Sequence, residues 1–256
     1  MNKMRVAIFS DVHGNLTALE AVLNDIATQQ VDQVLFAGDL CLIGPRPAEC
    51  LQWVKTARIA SVYGNTDDWI LRRQKPPERL QALCDWTLAQ LSEVERVWLT
   101  AVPFSHRLSP TANLADDLLV VHANPHDVNQ LVFPPESEQQ ARYGQVRQTD
   151  GALAELLAGA VGTTAVIAYG HLHVPSIRQV NGVTLVNISS VNMAGDGDPR
   201  AKYGLLEWDG QQWHAQHRRV AWDAEAEIDA YRQAQPPGWE NFVILLKQHD
   251  CIPQQV

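Results

Sequence analysis

Asp11, His13, Asp39, Asn65, His122, His171 and His173 each follow a short apolar run, and that recurrence is where the sequence carries chemistry. Residues 6–9 lead into Ser10-Asp11-Val12-His13-Gly14-Asn15, and residues 34–37 into Gly38-Asp39. Residues 60–63 lead into Gly64-Asn65, residues 118–121 into His122, and residues 165–169 into Gly170-His171-Leu172-His173. Carboxylate, carboxamide and imidazole donors in this number suit two divalent ions that share a bridging carboxylate. Asp11 and His13 are two residues apart, as are His171 and His173, so in extended chain each pair projects to one side. Asp39, between the two pairs, is the natural bridge, because each of its oxygens can face a different ion. Asn65 adds a neutral oxygen and limits the negative charge around the ions. Each residue alone has an ordinary explanation: an Asp that caps a turn, a structural His, an Asn that tolerates a left-handed bend. Five such coincidences at five run ends make the combination specific.

The runs that precede these residues must place them on one rim. Short stretches rich in Val, Ile and Leu read as strands buried on both faces, and open α/β sheets gather ligands at the carboxyl ends of such strands. The first third alternates: strand 5–10, helix 16–26, strand 31–37, helix 48–56, strand 59–63. That βαβαβ order predicts a parallel sheet with right-handed crossovers. Residues 69–102 read as helical, interrupted at Pro76-Pro77, with Ser92 capping a helix over 93–100. A strand follows at 118–121, then a loop over 124–138 containing Pro125, Pro134 and Pro135, and a helix at 152–158. Strands at 164–169, 175–180, 183–188 and 203–208 come next, with Asn181-Gly182 a two-residue hairpin turn. An arm over 212–220 crosses Asp209-Gly210, and helices over 224–234 and 239–247 close the chain. The second half thus reads as antiparallel or mixed. With no repeat or linker, residues 1–256 form one expected domain, its motif-bearing part spanning about 5–190 and its closing hairpin and helices about 200–250.

Composition narrows the functional classes. A chain of 256 residues with 46% hydrophobic and 19% charged residues is ordinary for a globular protein with a sizeable core. A formal charge of −9 argues against binding of extended nucleic acid, which needs a basic surface. Cys41, Cys50, Cys84 and Cys251 show no metal-type pairing and read as free thiols of a reducing, cytoplasmic compartment. No signal-peptide architecture or membrane-spanning run is apparent. His106, His214, His217 and His249 lack ligand context and read as structural or exposed. The eight tryptophans show no stacking-platform spacing and read as packing residues.

The series Asp11-Val12-His13-Gly14-Asn15, Gly38-Asp39, Gly64-Asn65-Thr66-Asp67, His122 and Gly170-His171-Leu172-His173 resembles that of the calcineurin-like metallophosphoesterases, in particular their small bacterial and archaeal phosphodiesterase/phosphatase branch. The resemblance extends to Gly44-Pro45 and to Asn187-Ile188-Ser189-Ser190. It implies an α/β four-layer αββα sandwich of two mixed β-sheets flanked by helices, with the metal site at strand C-terminal ends. By position it gives one ion Asp11, His13, Asp39 and His173, and the other Asp39, Asn65, His122 and His171. Manganese is the leading expectation for both, with iron or zinc as alternatives. A bridging hydroxide would attack the phosphorus, so Asp39, Asn65 and His122 count as catalytic. The substrate would be a small phosphate ester, a nucleotide among the options, with diesters ahead of monoesters and phosphoproteins. A scaffold of the same architecture is the competing class.

Two departures accompany the resemblance. Many relatives carry a proton-donating His after Gly-Asn, where Thr66 stands here, and many have Asn-Pro-Gly-Ser where this chain has Asn187-Ile188-Ser189. The second change is expected to loosen a turn beside the ions. Arg46, Thr66, Asn124 and His126 are the candidate substrate contacts, Arg46 through bidentate bonds to a phosphate.

Overall fold

The computed structural model describes residues 3–248; Cys251 and His249 lie outside them. The expected opening βαβαβ unit forms as β1 (Met4–Phe9), α1 (Leu16–Ala27), β2 (Gln33–Ala37), α2 (Pro47–Thr56) and β3 (Ala60–Val62). β1 pairs parallel with β2, and β2 with β3. Asn15 caps α1 by accepting from the Ala18 N–H at 2.9 Å, so the loop that carries Asp11 and His13 runs straight into a fixed helix start.

The helical stretch divides into α3 (Asn65–Ile70), α4 (Gln81–Gln90) and α5 (Glu93–Thr100). Ser92 and Glu95 close a capping box on α5, as its sequence predicts. α3 begins at Asn65, four residues before the expected helical start, because the Asp67 carboxylate accepts the Gly64 N–H and closes the first turn. β4 (Ser105–Leu108) was not expected; it is an edge strand that pairs antiparallel with β5 (Leu118–Val121). The expected loop over 124–138 yields to α6 (Glu136–Tyr143), followed by α7 (Asp150–Leu156). β6 (Val166–Tyr169), β7 (Ser176–Val180) and β8 (Val183–Asn187) complete a second sheet. β9 (Ala201–Trp208) and β10 (Trp213–Val220) then return to the first sheet, before α8 (Ala224–Ala234) and α9 (Trp239–Gln248).

Both sheets are five-stranded and mixed, in the orders β10-β9-β1-β2-β3 and β4-β5-β6-β8-β7. Side-chain alternation along each strand shows how they stack. Val6 and Ile8 of β1 meet Leu118 and Val120 of β5 and Val166 and Ala168 of β6 in one apolar cluster between the sheets. Ala7 and Phe9 point the other way, into a cluster with Leu19 and Val22 of α1, Leu51 of α2 and Tyr231 of α8. Leu119, Ile167 and Leu185 face outward from the second sheet against Leu153 and Leu157. The layering is therefore helix, sheet, sheet, helix, with the carboxyl ends of β1, β2, β3, β5 and β6 on a common rim. Among the described residues no helix is long and apolar enough to cross a membrane.

Candidate metal centre

Two groups of ligand atoms converge on that rim: Asp11, His13 and His173 form one, and Asp39, His122 and His171 the other. Asp39 stands between them. Its Oδ2 lies 3.8 Å from His13 Nε2, and its Oδ1 lies 3.5 Å from His122 Nε2. Asn65 Oδ1 is 2.9 Å from His122 Nε2 and so belongs to the second group. In the first group, Asp11 Oδ1 is 3.0 Å from His173 Nε2 and 3.7 Å from His13 Nε2.

The imidazoles are held from behind. Nδ1 of His13 meets the Leu42 carbonyl at 3.2 Å, Nδ1 of His122 the Ala37 carbonyl at 2.9 Å, and Nδ1 of His173 the Met193 carbonyl at 3.1 Å. His171 is reversed, with Nε2 on the Asn129 carbonyl at 2.9 Å. A carbonyl can only accept, so each outer nitrogen carries the proton, and each inner nitrogen of a neutral ring presents a lone pair. Those inner nitrogens face one another: His13 Nε2 and His173 Nε2 are 3.3 Å apart, and His122 Nε2 and His171 Nδ1 are 3.2 Å apart. Two lone pairs at that distance repel unless a cation or a shared proton lies between them. The donor set therefore fits a divalent ion in each group.

Electrostatics point the same way. Burial and the neighbouring His173 push the His13 imidazole down to about 3, which keeps it a neutral donor. Burial lowers His171 as well. Without a cation, burial pushes the Asp39 carboxyl up to about 7. His122 rises above its ordinary value because Asp39 and Asp11 outweigh the opposing effect of its burial. Asp39 and Asp11 thus draw positive charge toward His122, where a cation of the second group would stand.

The backbone is bent sharply to achieve this. Asp11, His13, Asp39, His171 and His173 adopt left-handed conformations, with φ of 55°, 49°, 64°, 62° and 61°. Asp and His tolerate that region better than most residues, though still at some strain. Two glycines supply room rather than flexibility: a Cβ on Gly64 would collide with Asp39 Oδ1, and one on Gly170 with Asp11 Oδ2. Asp67 ties the loops together, its carboxylate accepting the backbone N–H groups of Asp39 at 3.0 Å and Leu40 at 3.2 Å as well as that of Gly64.

The segment expected to loosen is instead firmly built. Asn187 donates to the Gly170 carbonyl at 2.9 Å, Ser189 to the His173 carbonyl at 2.9 Å and Ser190 to the Asp11 carbonyl at 3.0 Å, and all three residues are buried. Side-chain hydrogen bonds replace whatever stiffness a Pro-Gly turn supplies. The loop that follows is pinned by Lys202, whose ammonium reaches Asp196 at 2.8 Å and the Asp198 carbonyl at 2.9 Å. That loop grips His173 twice, through the Met193 carbonyl and through the Gly195 N–H.

The candidate substrate contacts separate. Thr66 lines a cavity of about 130 Å³ together with His13, Asp39, Asn65, His171 and His173. Arg46 lies elsewhere; it pairs with Glu227 of α8 and Thr17 of α1. Asn124 spends its side chain on the loop, donating to the Gln130 carbonyl and accepting from the N–H groups of His126 and Asp127. His126 is exposed and bonded to the Leu156 carbonyl. Of the histidines read as structural, His217 bonds the Asn187 carbonyl at 2.7 Å and His214 pairs with Asp209 at 2.8 Å. Asp67 stands in the Gly64-Asn65-Thr66-Asp67 motif, though its role in tying the loops was not read there; sequence reading missed Lys202, which pins the adjoining loop, and two residues that line the cavity, Trp69 and Arg79. Of these three, Trp69 left a signal, being one helical turn beyond Thr66. A larger cavity of about 600 Å³, lined by Leu16, Trp53 and Glu95 among others, holds no imidazole.

A model of the calcineurin-like phosphoesterase superfamily domain matches residues 4–211, most of the chain. The chain belongs to that superfamily. It is similar to an uncharacterized protein of Methanocaldococcus jannaschii, 24% identical over 93% of this chain and 96% of the other. Among solved structures it is similar to a metallophosphoesterase from Sphaerobacter thermophilus, with a TM-score of 0.71, 28% identity, and coverage of 97% of this chain and 100% of that one. A hypothetical protein from Pyrococcus horikoshii shares the fold at a TM-score of 0.78 and 16% identity, over 94% of this chain and 97% of that one. Calcineurin-like phosphoesterases use divalent metals, and the two ligand groups are where this member of the superfamily would hold them.

Proposed function

We propose that the chain is a binuclear-metal-dependent hydrolase of small phosphate esters, acting on diesters in preference to monoesters or phosphoproteins. One ion is assigned to Asp11, His13, Asp39 and His173, and the other to Asp39, Asn65, His122 and His171. The observation that carries this reading is the pair of opposed imidazole couples with Asp39 directed at both. When bound, divalent ions supply Lewis acidity that lowers the pKa of water and offsets the charge of a phosphoryl group. The side chains do the remaining work. Asp39 is held by the Thr66 N–H at 3.0 Å, so that each of its oxygens keeps to one side. The Thr66 hydroxyl is buried and has no protein partner, so it is free to donate to a phosphoryl oxygen. Mixed oxygen and imidazole donors suit manganese, iron and zinc alike, and manganese is our first expectation. A nucleotide ester is the favoured kind of substrate. We read the chain as one domain, because β9 and β10 extend the sheet that β1 begins. Three buried free thiols, Cys41, Cys50 and Cys84, support a reducing cytoplasmic setting.

The test is elemental analysis of the purified protein together with turnover of bis(4-nitrophenyl) phosphate. Two ions per chain and turnover lost on chelation are expected; metal-independent turnover, or one ion at saturation, overturns the reading. A threonine hydroxyl does not release a proton at neutral pH, so the leaving group must depart by itself or take a proton from water or another residue; we expect the first. Nitrophenyl diesters should then outpace alkyl diesters by their full intrinsic difference, which a general acid worth about 10²–10⁴ would otherwise narrow. Similar chemistry-limited rates would place a proton donor elsewhere.

A further inference from the structure

The cavity has two unlike walls. One consists of the ligands; the other consists of Leu42, Ile43, Leu80, Met193 and the indole of Trp69. Helical spacing explains the last of these. Trp69 lies four residues after Asn65 and three after Thr66 on α3, so its ring shares their face and borders the same space. The four other side chains are buried, whereas Trp69 is half-buried. Thr66 adds an independent sign of a ligand, because its buried hydroxyl is unpartnered at the junction of the two walls. Beyond the ligands, Thr66 and Arg79 are the polar side chains that line the cavity.

We propose that this apolar wall is a specificity subsite for a flat aromatic group attached to the phosphoryl centre, stacked on Trp69. The inference rests on the reading of the centre as a phosphate-ester site and adds the kind of ester: aryl or nucleoside rather than alkyl or sugar. The apolar side chains of that wall give sugar hydroxyls nothing to bond, leaving only Thr66 and Arg79 for them, whereas any aromatic ring offers a face to the indole. Trp69 touches substrate without taking part in bond breaking. Its effect therefore falls on binding.

Calorimetric titration of the manganese-loaded protein tests this with stable ligands. Phenylphosphonate should bind about tenfold or more tighter than methylphosphonate, and AMP than ribose 5-phosphate, the scale of one base stacked on one aromatic side chain. Trp69→Ala should remove both preferences and leave the affinity for inorganic phosphate unchanged; Trp69→Phe should retain most of each. A preference for AMP alone assigns the wall to a nucleobase, and a preference for phenylphosphonate as well assigns it to any aryl ring; either supports the subsite. Ratios near one in the unaltered protein, or ratios that survive Trp69→Ala, overturn it. Failure of inorganic phosphate to bind at any metal loading overturns the phosphate-ester reading itself, and the subsite with it.

Discussion

The two halves of the centre use the same chemistry in different surroundings. In the first, Asp11, His13 and His173 are all buried, and the carbonyls that orient the two imidazoles belong to buried Leu42 and Met193. In the second, Asp39 and His122 are equally buried, but His171 is partly exposed and leans on the carbonyl of Asn129, an exposed loop residue. Preorganisation is a property of what stands behind a ligand. A dry half backed by packed chain should hold its ion tightly, while a half backed by a loop should exchange its ion readily.

The largest effect expected is on what the halves share. Asp39→Asn removes the charge placed between them, and several kcal/mol of lost stabilisation corresponds to a fall in turnover of about a thousandfold or more. Elemental analysis of the variant should show less than full loading. Near-normal turnover with two ions would remove Asp39 from the bridge. Next in size are substitutions that separate the halves. Lys202→Met should weaken the ion held by Asp11, His13 and His173 by up to about tenfold, less than the loss of a group bonded to a ligand itself, because Lys202 acts through the loop that carries the Met193 carbonyl. Asp127→Ala should act on the other ion, because the Asp127 carboxylate accepts the N–H groups of Asn129 and Gln130 and so frames the carbonyl behind His171. Chelation followed by metal analysis over time should give two phases, with Asp127→Ala accelerating only the faster one. A single phase in the unaltered protein would erase the contrast between the halves.

The smallest effect serves as a control remote from both. Burial tends to raise the Asp25 carboxyl, but hydrogen bonds from Arg218 and Tyr203 win and hold it below the usual carboxylate range. A depressed folded-state pKa contributes stability above the unfolded value near 4, lost as pH falls through the folded value. Asp25→Asn should therefore cost at most about 1 kcal/mol at pH 7 and progressively less in acid, with metal content unchanged. Denaturant titrations at pH 7 and pH 3 check the sign.

What the sequence made legible follows from how local each signal is. β1, β2, β5 and β6 are apolar runs buried on both faces, and each announces itself and the ligand that follows it. β4 does not, because Ser-His-Arg-Leu is an edge strand with exposed Ser105 and Arg107, and only its pairing with β5 defines it. α6 was equally silent: Gln139 is its buried residue, so no apolar stripe marks it. Side chains that act through distant partners were legible only as types. Arg46 looked available for a phosphate because its partner Glu227 lies 181 positions away. Lys202 looked like an ordinary strand lysine until Asp196 closed over it.

The left-handed backbone at five ligands bears on how this chain can drift over generations. Relative to glycine, an L-residue in that conformation costs about 1 kcal/mol. Replacing His13 or His173 by glycine should therefore relax the backbone and remove one of the facing nitrogens, against the loss of one bond to the Leu42 or Met193 carbonyl, so that the loss of chemistry is the main effect opposing the change. Neutral drift toward greater stability would accordingly dismantle the metal rim first, while both sheets and their apolar layers persisted. A descendant released from catalysis would be a sturdier protein of unchanged shape, and glycines at positions 13 and 173 would be the mark of that release.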